Sequence, residues 1–552
     1  MDNIEGGSLM DGINNNWLPH LSPEVISETE GNYLDAYVVA LEGWRRGLTL
    51  RWHVKDSEKF KEMKTWYVDQ PGQLFSLQSK ERIHYFFRTR GDKVPNQAVE
   101  YGMDKDITKR MLSEKGILVP KGKQFSKNAS TEEMVQYAND IGYPIVIKPT
   151  DGSFGRGVLS NIQTDGELVH SIDYLRKEFS PENIILENHV VGKDYRLYVV
   201  GDEVVGAIER VAPHVIGDGI NSIESLIEIK NNERDLNPRL VSCPIRVNQE
   251  TIDYLGRSNY QLESVPAENE LVYLSDISNI SIGGDPIDIY DNISDELKET
   301  AIQAFKAIPG LVQGAIDFMI HKDEKGNELA YVIELNPTSQ LGGILFPIEG
   351  KSRDVPKAII DYYFPETQGM EVEKEKTYFD FSDVLEPLVS RQATVSTVSQ
   401  APIGKVYMKK YTVIGDVQDL GYHLGLRKQA FERGLNGYVQ NVNDDAINIV
   451  VGGTDKEMVE DFKNGITQDE ERATVLEIQE SDYEGYIKVG FDSRANLFTA
   501  TENLTAFQEQ IETLNKEIKS LEIKKRNLHQ SFSWRLTYPV RIAGAVKKIF
   551  TK

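Results

Sequence analysis

The stretch YPIVIKPTDGSFGRGV, residues 143–158, constrains the folding of this chain more than any other. Its apolar, β-branched run from Pro144 to Ile147 is long enough for one buried strand and delivers Lys148 to that strand's end. Pro149 is expected to stop the ladder, and glycines at 152, 155 and 157 follow in a loop that bares backbone N–H groups. A cation at the mouth of a sheet, beside such a loop, suits a polyphosphate. A buried strand followed by a hairpin turn explains the same residues, because a short glycine pattern is weak by itself.

At 552 residues the chain exceeds what one core supports and implies three or four domains. A net charge of −24 argues against nucleic acid as the main ligand. The charge is uneven: the last thirty residues hold eight Lys or Arg and no acid. One cysteine, Cys243, excludes an internal disulfide and fits a reducing compartment. The start, MDNIEGGSLMDGINNNW, lacks the features of a secretory signal, and no apolar run approaches the roughly 18 residues of a spanning helix, so a cytoplasmic location is expected.

Residues 1–100 read as a small α/β lobe: a helix from Asn32, then strands at LTLRWHV, TWYVDQ and IHYFFRTRG, with no catalytic grouping. A helix begins near Asp104 with Lys105 in its first turn and Gly116 as its C-cap. Strand-like QFSK and the helix TEEMVQYANDIG lead to Lys148. Beyond the glycine loop, residues 184–211 read as strand, turn, strand, hairpin, strand. Glu187 ends the first of these, Asp194 follows the Gly192 turn, and Arg210 ends the last. In LAYVIELNP, Glu334 and Asn336 project from one face of a strand, and Asp317 of GAIDFMI joins them if the two strands pair. Two carboxylates and an amide form a hard-oxygen set suited to Mg²⁺ bridging phosphates; a solvated sheet face bearing acids is the plainer alternative.

The segments MDKDITKRMLSEKGILVP, YPIVIKPTDGSFGRGV, GKDYRLYVVGDEVVGAIERVAPHVIGDG, SNISIGGDPID, GAIDFMI, VIELNPT and FPIEGKSRDVPKAIIDYYFPE resemble, in order, those of an ATP-grasp ligase. Within that superfamily the chain is most similar to cyanophycin synthetase and to the ligase domain of bifunctional glutathione synthetases. The resemblance implies that Lys105 and Lys148 hold the phosphates of ATP, with the loop of Ser153, Gly155 and Gly157 closing over them. It places Glu187 at the adenosine edge, Asp194 at the ribose, and Asp317, Glu334 and Asn336 at Mg²⁺. Arg210 would steady an acyl phosphate, and Asn279, Gly283 and Gly284 would line the acyl side. The implied reaction joins a carboxylate to an amine, on an amino acid, a peptide or an amino-acid-decorated polymer. Two departures bear on substrate choice: His214 stands in the run RVAPH where relatives have RVPAN, and Ala315 stands where many relatives have Arg. Cys243 is read as structural, with no neighbour expected to activate it.

KKYTVIGDVQDLGYHLGLRKQAFERGLNGYVQNVNDDAINIVVGG resembles an acylphosphatase domain, a ferredoxin-like βαββαβ sandwich. His423 stands where that family has its phosphate-binding Arg, and Asp419 replaces a loop glycine. Asn441, which would position the attacking water, is kept, and Arg427 lies one helical turn beyond His423. Leu504, Phe507, Ile511, Leu514, Ile518, Leu521, Lys525 and Leu528 then step by three and four as a coiled-coil seam, followed by a basic amphipathic tail. The expected chain is α/β and α+β multidomain. It has an N-terminal lobe (1–100), an ATP-grasp fold (101–368), a linker (369–403), the acylphosphatase-like sandwich (404–492), a coiled coil (500–530) and the tail (531–552). The seam implies a homo-oligomer and the tail peripheral membrane contact. Two other readings compete with the ligase: a hydrolase of acyl phosphates, and a non-enzymatic scaffold near a membrane.

Overall fold

The structure is a computed structural model describing residues 17–494, except Glu30, residues 151–156, Glu324, Glu371, Glu375 and Glu470. The expected coiled coil and tail, and the loop residues Ser153 and Gly155, lie outside the described residues. The chain divides into two units: Met1–Val406 with Gly485–Val489, and Tyr407–Glu484 with the residues from Gly490 on. Among the described residues no helix is long and apolar enough to cross a membrane.

In the first unit, after the short helical turns Pro19–Leu21 and Pro23–Ile26, the helix Asn32–Arg45 packs its apolar residues against a five-stranded antiparallel sheet. The sheet runs in the order Val395–Thr397, Thr49–His53, Leu74–Gln78, Ile83–Phe87, Arg90–Gly91. Its core is aromatic: Trp44, Trp52, Phe75, Phe86, Phe379 and Phe381 are all buried. Two of these come from residues 369–403, which therefore are not the expected linker. Phe381, Leu385 and Leu388 form the buried face of the helix Phe381–Val389, and Arg51 pairs with Thr397 at the sheet edge. The charged run at 371–376 suggested a linker, but the apolar residues after it recur at helical spacing and need a core. TWYVDQ is not a strand, for Tyr67 takes a left-handed backbone (φ 53°). IHYFFRTRG is a tight hairpin rather than one strand, folded at Arg88, where φ is 54°.

Two further sheets follow. The strand Ile145–Pro149 lies between Asn183–Asn188 and Leu159–Ile162, and Gly122–Ser126 completes a four-stranded antiparallel sheet. Pro149 does not stop this ladder; it pairs with Ile184. The helices Thr131–Ile141 and Asp165–Glu178, N-capped by Ser130 and Thr164, contribute Met134, Ala138, Leu168, Ile172 and Leu175 to a core with Ile145 and Ile147. The central sheet orders Asp285–Asp288, Glu203–Val211, Lys193–Val200, Gln313–Lys322 and Glu328–Asn336, all antiparallel. Between Val211 and Asp285 a small subdomain with its own core carries the helices Ile223–Arg234 and Gln249–Arg257.

The second unit runs Tyr407–Asp416, helix Leu420–Glu432, Asn436–Asn443, Ala446–Gly453, helix Lys456–Ile466, Thr474–Asp482, which is the expected βαββαβ order. The first strand sits between the fourth and the third, and Phe491–Arg494 adds a parallel strand beyond the second. Tyr411, Val413, Tyr422, Leu426, Ile449 and Phe462 fill the space between sheet and helices.

Candidate functional site

Lysine charge gathers where the four-stranded sheet meets the helix Lys105–Glu114. Asp104 caps that helix, its Oδ1 accepting from the N–H groups of Asp106 and Ile107 at 3.0 Å. The helix thereby places Lys109 beside Lys148, and both ammonium groups pair with the buried Glu187 carboxylate. Lys105, one turn earlier, acts on the other two through its charge. Two ammonium groups thus share one carboxylate, with the charge of a third close enough to act on both. Burial first, then repulsion from Lys109 and Lys105, holds Lys148 well below the usual lysine range. Burial and Lys105 bring Lys109 down to about 8. Sequence reading missed Lys109, though its four-residue spacing from Lys105 puts both on one helix face. Gly157 ends the loop with φ 73°, and a Cβ there would come within 3.1 Å of Pro149.

Across the central sheet, strands Gln313–Lys322 and Glu328–Asn336 pair with Asp317 opposite Glu334 and Ala315 opposite Asn336. The three candidate metal ligands therefore share a face, with Arg196 opposite Asp317 on the next strand and Arg210 opposite Asp194. Arg196 grips Asp317 through Nε–Oδ1 at 2.7 Å and Nη2–Oδ2 at 2.8 Å. Nη2 of Arg210 donates to Asp317 Oδ2 at 2.9 Å and to Asp194 Oδ1 at 2.7 Å. Burial pushes the Asp317 carboxyl up, but the two guanidinium groups together outweigh it and hold the acid below its ordinary value. Among the described residues Asp194 pairs directly with Arg210 alone, and burial, with Asp317 beside it, takes it up to about 6. The cost of burying Asp317 is thus met by two arginines. Glu334 differs: it is half-buried and forms no ion pair or hydrogen bond among the described residues, while its charge acts on Lys148 and Arg210. Asn336 Oδ1 accepts from Thr338 N at 3.1 Å.

Asn279 caps a short 3₁₀ turn, its side chain accepting from Ser281 N at 2.9 Å. Gly283 (φ 106°) and Gly284 are required by crowding, since a Cβ would lie 2.7 Å from Ile245 or 2.8 Å from the backbone oxygens of Asn279 and Val211. His214 Nδ1 lies 2.9 Å from Ala212 O, and its Nε2 is 3.8 Å from Asp285, a carboxylate already held by Lys230 and Arg234. Burial and then Lys230 lower the His214 pKa. Cys243 is buried as expected, but not without a cation: Arg239 Nη1 donates to its Sγ at 2.8 Å.

In the second unit, His423 is buried, its Nε2 donating to Val417 O at 3.1 Å, and burial lowers its pKa. Asp419 caps the helix Leu420–Glu432, accepting from Tyr422 N at 3.1 Å. Arg427 is exposed and its guanidinium lies over the Phe431 ring, 5.3 Å from the centroid, so it does not reach back to His423. Asn441 lies opposite Ile447 in the sheet.

Residues 102–217 match the RimK-like ATP-grasp domain family and residues 409–493 the acylphosphatase family. One stretch of the chain thus resembles an ATP-grasp domain and another an acylphosphatase domain. It is similar to cyanophycin synthetase of Synechocystis sp., 34% identical over 273 residues that cover 48% of this chain and 31% of that one. It is also similar to the glutathione biosynthesis bifunctional protein GshAB of Desulfotalea psychrophila, 30% identical over 301 residues, 53% of this chain and 38% of the relative. The chain thus spans about a third of the length of these relatives. The solved bifunctional glutathione synthetase of Pasteurella multocida aligns with 26% identity and a TM-score of 0.42, over 53% of this chain and 41% of that one.

Proposed function

We propose that the chain is an ATP- and Mg²⁺-dependent carboxylate–amine ligase. The observation that carries this reading is the excess of positive charge around Glu187, within reach of the charge of Glu334, which forms no ion pair or hydrogen bond among the described residues. Lys148 and Lys109, with Lys105 behind them, would hold the polyphosphate, whose anionic oxygens relieve the repulsion among the lysines. Glu334 and the Asn336 amide offer hard oxygens that fit Mg²⁺, with Asp317 joining as its arginine contacts are shared. When bound, the metal would neutralise charge between the phosphates. Arg210, spanning Asp194 and Asp317, can turn a donor toward the phosphoryl group moving onto a substrate carboxylate. The resulting acyl phosphate is open to attack by an amine, which expels phosphate and forms the amide.

The test is ADP release against paired amino acids and γ-glutamyl peptides, with and without chelator. ADP that forms only with a carboxylate and an amine together, and stops when metal is removed, supports the reading. ATP turnover indifferent to chelator rejects it. From its sequence pattern the segment 500–530 would pair two chains, and the basic tail 531–552 would draw them to anionic lipid, at about 1 kcal/mol per cation. Full-length protein should then sediment with anionic vesicles at low salt, and protein lacking 531–552 should not. Equal sedimentation of the two would reject the tail's role.

A further inference from the structure

A second imbalance of buried charge lies on the N-terminal side of the first unit. Arg88, at the hairpin turn, is 6% exposed. Its Nε donates to Gln73 Oε1 at 2.7 Å and its guanidinium lies 5.1 Å over the Phe87 ring, while its Nη2 is buried without a hydrogen-bond partner. Arg239, equally buried, donates only to neutral acceptors: Ser242 Oγ at 3.2 Å, Cys243 Sγ at 2.8 Å, Gln340 Oε1 at 2.9 Å and, distantly, Ser281 Oγ at 3.5 Å. Neither guanidinium forms an ion pair among the described residues.

Asp35 is the carboxylate that both cations reach by charge, and it is already engaged. Its Oδ1 accepts from Leu341 N at 2.8 Å, its Oδ2 is buried without a partner, and burial lifts its pKa to about 6. Arginine does not escape burial by losing its proton, so two such groups beside one compromised carboxylate are costly unless an anion arrives.

The loop that continues from Asn336 connects this cluster to the metal-facing strand. Thr338 Oγ1 is buried and without a partner, Gln340 Nε2 donates to Asn32 Oδ1 at 3.1 Å, and Thr89 Oγ1 donates to Ser339 O at 3.3 Å. The N-terminal lobe thus holds the loop from two sides, with Arg88 and Asp35 on its own elements.

We propose that Arg88 and Arg239 form the seat for a free carboxylate of an amino-acid or peptide substrate, distinct from the carboxylate that is activated. The inference rests on the ligase reading and names the substrate class. One carboxylate would balance the unmatched charge, and the planar guanidinium forks suit its two oxygens. Thr338 Oγ1 can add a hydrogen bond from the loop side.

The experiment compares ADP release driven by amino acids and γ-glutamyl peptides with that driven by the same compounds amidated at the carboxylate. It uses the full chain, Arg88→Met, Arg88→Lys and Arg239→Met, and melting temperatures are recorded for each. Free acids should exceed amides by about a hundredfold in kcat/KM for the unaltered protein. Arg88→Met should erase that preference, and Arg88→Lys should restore part of it. Because removing an unmatched buried charge relieves the apoprotein, the melting temperature of Arg88→Met should hold or rise. Equal use of acids and amides, no response to any compound in the panel, or a melting temperature lowered by more than about 4 °C in both Met variants would overturn the seat. Calorimetry of ATP·Mg²⁺ with the unaltered protein separates the layers: absence of binding overturns the ligase reading itself, and the seat with it.

Discussion

The two units each carry a pattern associated with phosphate, and they treat it in opposite ways. In the first, Lys109 and Lys148 share Glu187 with the charge of Lys105 close by, so lysine charge exceeds its direct ion-pair partners among the described residues. In the second, the protein's own side chains use the corresponding positions. Asp419 takes the Tyr422 N–H, and His423 is buried with its Nε2 on Val417 O. Glycine spacing would not have told these sites apart; the balance of charge and of hydrogen-bond donors does. A site prepared for an anion keeps donors and cations in surplus.

The sharpest way to break this comparison is to remove the surplus. Lys148→Ala should lower ADP formation by roughly a thousandfold, since it deletes a charge-assisted contact to a phosphate in the transition state. Circular dichroism should show the fold retained. ADP formation at the parent rate would mean that the lysine cluster is only structural. Next in size, Glu334→Gln should slow turnover by about tenfold to a hundredfold and be partly rescued by raised Mg²⁺. A defect unchanged by metal concentration would place the ion elsewhere.

The lysine cluster also predicts a pH dependence. Burial and Lys105 lower Lys109 to about 8, so its charged form is lost as pH rises through that value. ATP affinity should fall between pH 7 and pH 9, and Lys109→Arg, which keeps its charge, should flatten the profile. A profile unaffected by the substitution would show that Lys109 does not meet the phosphates. The smallest effect belongs to the second unit. The unaltered protein should hydrolyse a simple acyl phosphate poorly, and His423→Arg with Asp419→Gly should raise the rate several-fold by freeing N–H groups and adding a cation. Brisk hydrolysis by the unaltered protein would make the contrast between the units false.

Local signals in the sequence were reliable where they repeated over several residues. The strand of Lys148 and the helix from Asn32 were legible from periodicity, and the βαββαβ order from the resemblance to an acylphosphatase domain. Asp317 was expected beside Glu334 only if their two strands paired, and they do. What stayed hidden depends on distant partners. Arg196 holds Asp317 across 121 positions of sequence, and nothing in YRLYVV marks that arginine as different from a solvated one. Lys109 was legible in principle, but choosing between it and Lys105 needs the position of Glu187. Residues 369–403 were misread because their acidic start masked an aromatic helix that completes a core begun near Asn32. Arg88 and Asp35 carry no motif; they stand out only once their burial and missing partners are known.

The most direct measurement is a calorimetric titration of the full chain with ATP and Mg²⁺, beside the same titration of a Lys109→Ala, Lys148→Ala double variant. The surplus of lysine charge in the first unit predicts one ATP site per chain in the unaltered protein and none in the variant. Binding that survives the double substitution, or a second site of comparable affinity, would contradict the account.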